Sequence, residues 1–189
     1  MSTEYSDRHF WLGINAIPNI TANKFKILLD HFPTAEAIWH ASLAELKAVR
    51  PFAKHADQFV EQRSKIDLGV EIKRLEALGL SFVTLADKAY PKPLRKLENP
   101  PAVLNYKGSL TPKDELAISM VGTRKPSPYG RMITEKLSGG LSQLGFTIVS
   151  GMALGIDTAA HRGALNAPPP PPPPLAGGPA KTYPSETRS

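Results

Sequence analysis

Between Leu116 and Leu165 one pattern occurs twice: a short apolar run, a loop rich in glycine, then apolar residues at helical spacing. Leu116-Ala-Ile-Ser-Met-Val121 leads into Gly122-Thr-Arg-Lys-Pro-Ser-Pro-Tyr-Gly130, and a helical pattern follows to Leu144, where Gly145 is placed to stop it. Phe146-Thr-Ile-Val-Ser150 leads into Gly151-Met-Ala-Leu-Gly155, and a second helical pattern runs from Ile156 to Leu165. Apolar runs of about five residues alternating with helices predict parallel strands joined by helical crossovers. The expected class is α/β, with a Rossmann-like, mostly parallel sheet.

Both loops leave a strand and enter a helix, and ligands of such sheets bind outside the carboxyl ends of the strands. The first turn of a helix presents unpaired N–H groups and a partial positive charge, which suits an anion. Glycine lets the backbone approach a phosphate closely. The first loop adds Arg124 and Lys125, and Arg131 follows just inside the helix. Arginine offers a planar fork that matches phosphate oxygens. Pro126 and Pro128 stiffen the loop and reduce the entropy lost on binding. Gly-x-Gly-x-x-Gly is absent from both loops, which argues against a dinucleotide site. Gly-x-x-x-x-Gly-Lys-Ser/Thr is also absent, which argues against a Walker-type NTPase.

The charge distribution points the same way. The chain carries a net charge of +6. From Lys88 to Lys136 there are ten basic residues against four acidic ones, an excess of six, and the rest of the chain balances. A localised basic region suggests a polyanionic partner, and its alternative is a solvated basic face. With no cysteine, disulfides and thiolate chemistry are excluded, which suits a cytoplasmic protein. No apolar run approaches the roughly 20 residues of a membrane span, and no signal-peptide core stands at the N-terminus. No cofactor or metal is expected.

In the N-terminal part, Met1 to Arg8 is polar and expected to fray. Phe25, Leu28, Leu29 and Phe32 recur at helical spacing and predict core positions on a helix from about Thr21 to His31. Thr34 is placed to cap a short helix with Ala37 and Ile38. Ser42-Leu-Ala-Glu45 reads as a capping box opening a helix buried through Leu43, Leu46 and Val49. Another helix is expected from Ser64 to Leu78, buried through Ile66, Val70, Leu75 and Leu78, with Gly79 ending it. Ile17 to Phe32 resembles a helix-hairpin-helix module, but Pro18-Asn19-Ile20 stands where the phosphate-gripping glycines belong. That favours a structural or partner-binding role. Leu80 to Leu85 and Ala102 to Lys107 read as strands flanking a proline-punctuated connector. The expected domains are a helical one over 1–78, a Rossmann part over 79–166 and a tail over 167–189.

The chain resembles the DNA-processing protein A family, also called DprA or Smf. The matching residues are Tyr90-Pro91 with Leu94, Pro100-Pro101 before Val103-Leu104, Val121 to Gly130, and Val149-Ser-Gly-Met-Ala-Leu-Gly-Ile-Asp-Thr-Ala-Ala-His-Arg-Gly-Ala-Leu165. The resemblance covers most of residues 9–166. It implies a sterile-alpha-motif-like helical domain followed by an extended Rossmann domain. It also implies a non-enzymatic, cytoplasmic protein of natural transformation that binds and protects incoming single-stranded DNA, helps load the recombinase RecA and forms a homodimer. The family's Gly-Ser/Thr-Arg loop falls on Gly122, Thr123 and Arg124, with Arg124 the first choice for a phosphate ligand and Lys125 and Arg131 next. Ser127 and Tyr129 either bond the phosphate chain and stack on a base, or act locally as a cap and as packing. Gly151 and Gly155 shape the second loop.

Asp157 and His161 share a helix face. They are either an acid/base pair or, the favoured reading, a loop brace and a backbone-bonded histidine. The competing function class is an enzyme acting on nucleotides or nucleoside phosphates. At the end of the sequence stand seven consecutive prolines, Pro168 to Pro174, whose polyproline II form would be roughly 20 Å long. The family would continue with further strands and a dimer surface. A truncation or frameshift within the Rossmann domain is the favoured reading of this tail over a proline ligand for a partner, and residues 167–189 are expected to be extended or disordered.

Overall fold

A computed structural model describes residues 5–168, which divide into two compact units, one up to Leu110 and one from Thr111. The tail expectation therefore lies, from residue 169 onward, outside the described residues.

The first unit contains helices α1 Asp7–Ala16, α2 Ala22–Leu29, α3 Ala35–His40, α4 Leu43–Ala48, α5 Ala56–Arg63 and α6 Leu68–Ala77. Strand β1 Ser81–Thr84, the short helix α7 Lys92–Arg95 and strand β2 Val103–Tyr106 follow. Caps set the helix starts. Thr21 accepts a bond from the Lys24 amide and Thr34 from the Ala37 amide. Ser42 and Glu45 exchange bonds as a capping box, with the Ser42 amide 2.7 Å from the Glu45 carboxylate. That bonding holds the Glu45 carboxyl below its ordinary range. The core is built on Ile14, Phe25, Leu28, Ile38, Leu46, Phe52 and Phe59, none more than 1% exposed. Each such side chain contributes about 1.5–3 kcal/mol by burial.

Four local expectations differ. The N-terminal helix begins at Asp7 within the stretch expected to fray, because Asp7 binds the Trp11 indole N–H at 3.0 Å and the Glu36 amide at 2.9 Å. The helix expected from Ser64 starts four residues later: Ser64 closes α5, and Asp67 opens α6 by accepting from the Gly69 and Val70 amides. On α6 the buried residues are Leu68 and Leu75, while Val70 and Leu78 are exposed. Leu43 is also exposed, while Leu46 and Val49 are buried as expected. In the hairpin between α1 and α2, Asn19 adopts φ +65°, so asparagine takes the left-handed backbone that glycine would otherwise supply.

Strands β1 and β2 pair antiparallel, Ser81 opposite Tyr106 and Thr84 opposite Val103. They belong with the helices. Ala102 and Val103 are buried in the helical core, and Leu80, Phe82 and Leu85 pack against it. Arg8 clamps this junction: it donates to the Phe82 carbonyl at 2.8 Å, pairs with Asp87 at 3.2 Å and covers the Phe82 ring. The first compact unit thus runs past Gly79, where the helical pattern ends, to Leu110. The family-like Tyr90 is buried, donates to the Pro101 carbonyl at 2.8 Å and lies under Arg95. Burial pushes its phenol above the ordinary value, against the opposing charge of Arg95.

In the second unit a single-turn 3-10 helix at Pro112–Glu115 precedes β3 Ala117–Ser119, α8 Pro128–Gln143, β4 Thr147–Val149 and α9 Ile156–Asn166. Strands β3 and β4 pair in parallel, Ala117 opposite Thr147 and Ser119 opposite Val149. This is the strand–helix–strand–helix order that the repeated pattern predicts, and the fold is mixed α/β. Among the described residues the parallel sheet has two strands, since β1 and β2 form a separate antiparallel pair in the other unit. Gly145, at φ +88°, ends α8. Helices α8 and α9 cross closely. A Cβ on Gly163 would overlap the Ser138 hydroxyl and the Glu135 carbonyl, and one on Gly139 would lie 3.2 Å from the Gly163 carbonyl. No helix among the described residues is long and apolar enough to cross a membrane.

Candidate nucleic-acid interface

The two glycine loops bond to each other. The Ser150 hydroxyl donates to the Met120 carbonyl at 2.7 Å, and the first amide of α9, that of Ile156, donates to the Thr123 carbonyl at 3.1 Å. This contact explains Gly155 and Gly122, and the Asp157 brace of the second loop explains Gly151. Gly155 sits at φ +90°, and a Cβ there would overlap the Thr123 carbonyl and the Arg124 backbone. A Cβ on Gly122 would come within 2.7–2.9 Å of the Ile156 side chain. On Gly151 it would meet the Asp157 carboxylate at 2.9 Å.

The loops differ in what they leave for an anion. At the start of α8 the Ser127 hydroxyl accepts from the Gly130 amide at 3.1 Å, and Pro128 has no N–H to offer. That helix end is largely satisfied from within. At the start of α9 the N-cap is Gly155, so the amides of Asp157 and Thr158 have no capping side chain. The positive end of α9 is the more available one.

Beside it lies a cleft of about 250 Å³ lined by Arg124, Arg131, Glu135, Leu154, Gly155, Thr158, Ala159 and Arg162. Three arginines from three segments converge: Arg124 from the loop after β3, Arg131 from the first turn of α8 and Arg162 from the second turn of α9. Their guanidinium groups make no ion pair or hydrogen bond with another described residue. Glu135 is the one carboxylate in the lining, so the cleft keeps a net charge of two positive units.

Of the residues predicted from sequence, Arg124, Arg131 and Gly155 line this cleft. Gly122, Thr123 and Gly151 shape it from behind through the backbone contacts above. The Thr123 hydroxyl also accepts from the Lys125 amide at 3.1 Å. Lys125 and Ser127, on the exposed loop, and Tyr129, in the first turn of α8 and 67% exposed, are outside the lining. Ser127 performs its local capping role. Arg162 and Thr158 join the cleft without having been singled out. Their signal is their position three and seven residues after Gly155, on one face of α9.

Asp157 is 6% exposed and accepts from the Ala153 amide at 3.3 Å, so it braces the second loop. It makes no pair with Arg124. The His161 Nε2 is buried with no hydrogen-bond partner among the described residues, contrary to the expected backbone bond at that nitrogen. Neither residue lines the cleft. No group of three or more histidine, aspartate or glutamate side chains among the described residues is placed to hold a metal.

Residues 81–189 match the DNA recombination-mediator protein A family. Over 188 residues the chain is 31% identical to the protein Smf of Synechocystis sp., an alignment covering 97% of this chain and 47% of that protein. The DNA processing protein DprA of Bacillus subtilis is 36% identical over 109 residues, 57% of this chain and 37% of that one. The X-ray structure of DNA processing protein A from Streptococcus pneumoniae superposes with a TM-score of 0.61 at 27% identity, covering 86% of this chain and 55% of that one. The chain spans about half the length of these relatives or less.

Proposed function

This chain belongs to the DNA recombination-mediator protein A family, and from that premise we propose that it binds single-stranded DNA through the cleft between α8 and α9. One observation carries the reading: three arginines without acidic partners converge on one cleft at the uncapped end of α9. Unpaired guanidinium groups beside a helix N-terminus are suited to a phosphate chain. Arg124, Arg131 and Gly155 face the phosphates, Gly122, Thr123 and Gly151 hold the loops, and Lys125, Ser127 and Tyr129 contact the strand beyond the cleft. The exposed Tyr129 ring offers a face on which an unpaired base stacks. In this reading the protein works in the cytoplasm in natural transformation, protecting incoming strands and helping to load RecA, with a homodimer as the assembled form.

An enzymatic reading draws less support, because Asp157 is committed to its own loop and His161 stands outside the cleft. The test is a mobility-shift titration of the full chain with single-stranded and duplex DNA of equal length. Tighter binding to the single strand is expected. Equal or tighter binding to the duplex would remove the proposal.

A further inference from the structure

Arg162 lines the α9 wall of the cleft to which the motif loop contributes Arg124. The crossing of α8 and α9 fixes that wall: no Cβ fits on Gly163, because the Ser138 hydroxyl and the Glu135 backbone occupy the space. Residue 162 is thus anchored next to the tightest backbone contact of the unit, while its side chain is exposed and lines the cleft. Anchoring a cation on rigid backbone lowers the entropy lost when it closes on a ligand. Thr158, one turn earlier on the same face, adds a hydroxyl whose proton goes to the Ala153 carbonyl at 2.8 Å, leaving its oxygen lone pairs toward the cleft unsuited to a phosphate. Arg162 is therefore the α9 residue that can hold an anion by its side chain.

We infer that Arg162 is a third phosphate ligand, and that a backbone phosphate of the strand sits between the two helices, gripped by Arg124 and Arg131 from one side and Arg162 from the other. Glu135 is the opposing charge in this site. It lies four residues after Arg131 on α8 and offsets part of the attraction. The ligand class is the phosphodiester of a single strand, so the inference rests on the proposed DNA-binding reading.

The experiment measures fluorescence anisotropy of a labelled oligodeoxythymidylate with the full chain and with Arg124→Ala, Arg162→Ala, Arg162→Lys and Glu135→Gln, at several salt concentrations. Melting is followed on the same samples. Arg124→Ala and Arg162→Ala are each expected to weaken binding roughly tenfold or more. Each should reduce the slope of log K against log salt by about 0.7. Arg162→Lys should fall between Ala and wild type, since it keeps charge and loses the fork. Glu135→Gln should bind more tightly, an outcome that loss of structure does not produce. If Arg124→Ala loses affinity and Arg162→Ala does not, the third ligand is refuted and DNA binding at the loop stands. If neither variant changes binding, both the inference and the reading beneath it fail. A lower melting temperature with an unchanged salt slope in Arg162→Ala would make the residue structural and overturn the assignment.

Discussion

The two units bury opposite kinds of side chain. The first closes over phenylalanines, leucines and isoleucines, and among its described residues only Leu43, Val70, Leu78 and Leu97 are large, apolar and exposed. In the second the buried ones among the described residues are Thr134, Ser138, Asp157, Ala159 and Ala160, all small or polar. Ten large hydrophobic side chains among its described residues are exposed, including Val121, Leu144, Met152, Leu154 and Leu165. Cohesion in the first unit comes from removing apolar area from water. Cohesion in the second comes from backbone approaching backbone through glycine, and from hydrogen bonds between loops. The difference suits a division of labour. A unit held by side-chain burial stores stability. A unit held by backbone contact keeps its charged side chains free at the rim, where Arg124, Arg131 and Arg162 stand.

The largest expected effect tests the first unit. The Arg63 guanidinium donates to the carbonyls of Ile38, Trp39 and Ala41, at 3.3, 2.5 and 2.9 Å, and lies over the Phe59 ring. It closes the end of α3 inside the unit, and burial lowers its pKa from the ordinary value. Arg63→Ala strips the guanidinium from the Trp39 and Ala41 carbonyls, while the Ile38 carbonyl keeps the Ala41 amide, and should cost about 2–4 kcal/mol, read as a lower urea midpoint for the helical signal. DNA affinity, measured below that midpoint, should be unchanged. A loss under about 0.5 kcal/mol would remove the claim that this arginine organises the unit.

A second substitution tests the other unit. Gly163→Val forces a branched side chain into the Ser138 hydroxyl and the Glu135 backbone, so α8 and α9 must separate. Overpacking of this kind costs about 1–3 kcal/mol. Hydrogen exchange should accelerate in α8, α9 and β4 while α1, α2 and α5 keep their protection. Equal acceleration in both units would show that they unfold as one and erase the distinction drawn between them.

Sequence patterning reaches some of this contrast and misses the rest for identifiable reasons. Caps are local, and Thr21, Thr34 and Ser42 with Glu45 perform the predicted bonds. The repeated strand, glycine loop and helix order is also local, and β3, α8, β4 and α9 follow it closely. The true start of α6 escapes because the apolar spacing extends back to Ile66, and only the Asp67 side chain marks where the helix begins. The extent of the first unit escapes because Val103 is buried by helices far from it in sequence. Arg162 escapes because spacing after Gly155 only places it on a face of α9 with Thr158, while the cleft on that face depends on two helices meeting, a fact carried by Gly163 and Ser138. Met152 shows the limit of reading glycine loops by composition: it takes φ +56° in a loop where glycine would be expected to do so.

The smallest expected effect is a pH dependence that separates the units by their bonding. The Asp114 carboxylate accepts from the Thr111 amide at 2.6 Å, the Thr111 hydroxyl at 3.1 Å and the Thr147 hydroxyl at 3.3 Å, and so ties the entry of the second unit to β4. These bonds, led by the Thr111 amide, hold its carboxyl below the ordinary value, against the opposing effect of burial. A carboxyl whose pKa is lower in the folded state contributes stability above its unfolded value of about 4. That contribution is lost as pH falls through the folded-state value. Glu45 behaves in the same direction in the first unit, held down by Ser42, but there the buried aromatic core remains when the capping bond weakens. Acidification should therefore loosen β3 and β4 before it loosens α4, seen as an earlier rise in hydrogen exchange at their amides. Asp114→Asn keeps the shape and removes the titration, so the second unit should be slightly weaker near neutral pH and its acid-side loss should flatten. If α4 and the β3–β4 pair lose protection together on acidification, or if the asparagine variant keeps the full acid dependence, the carboxylate is not the tie that distinguishes them.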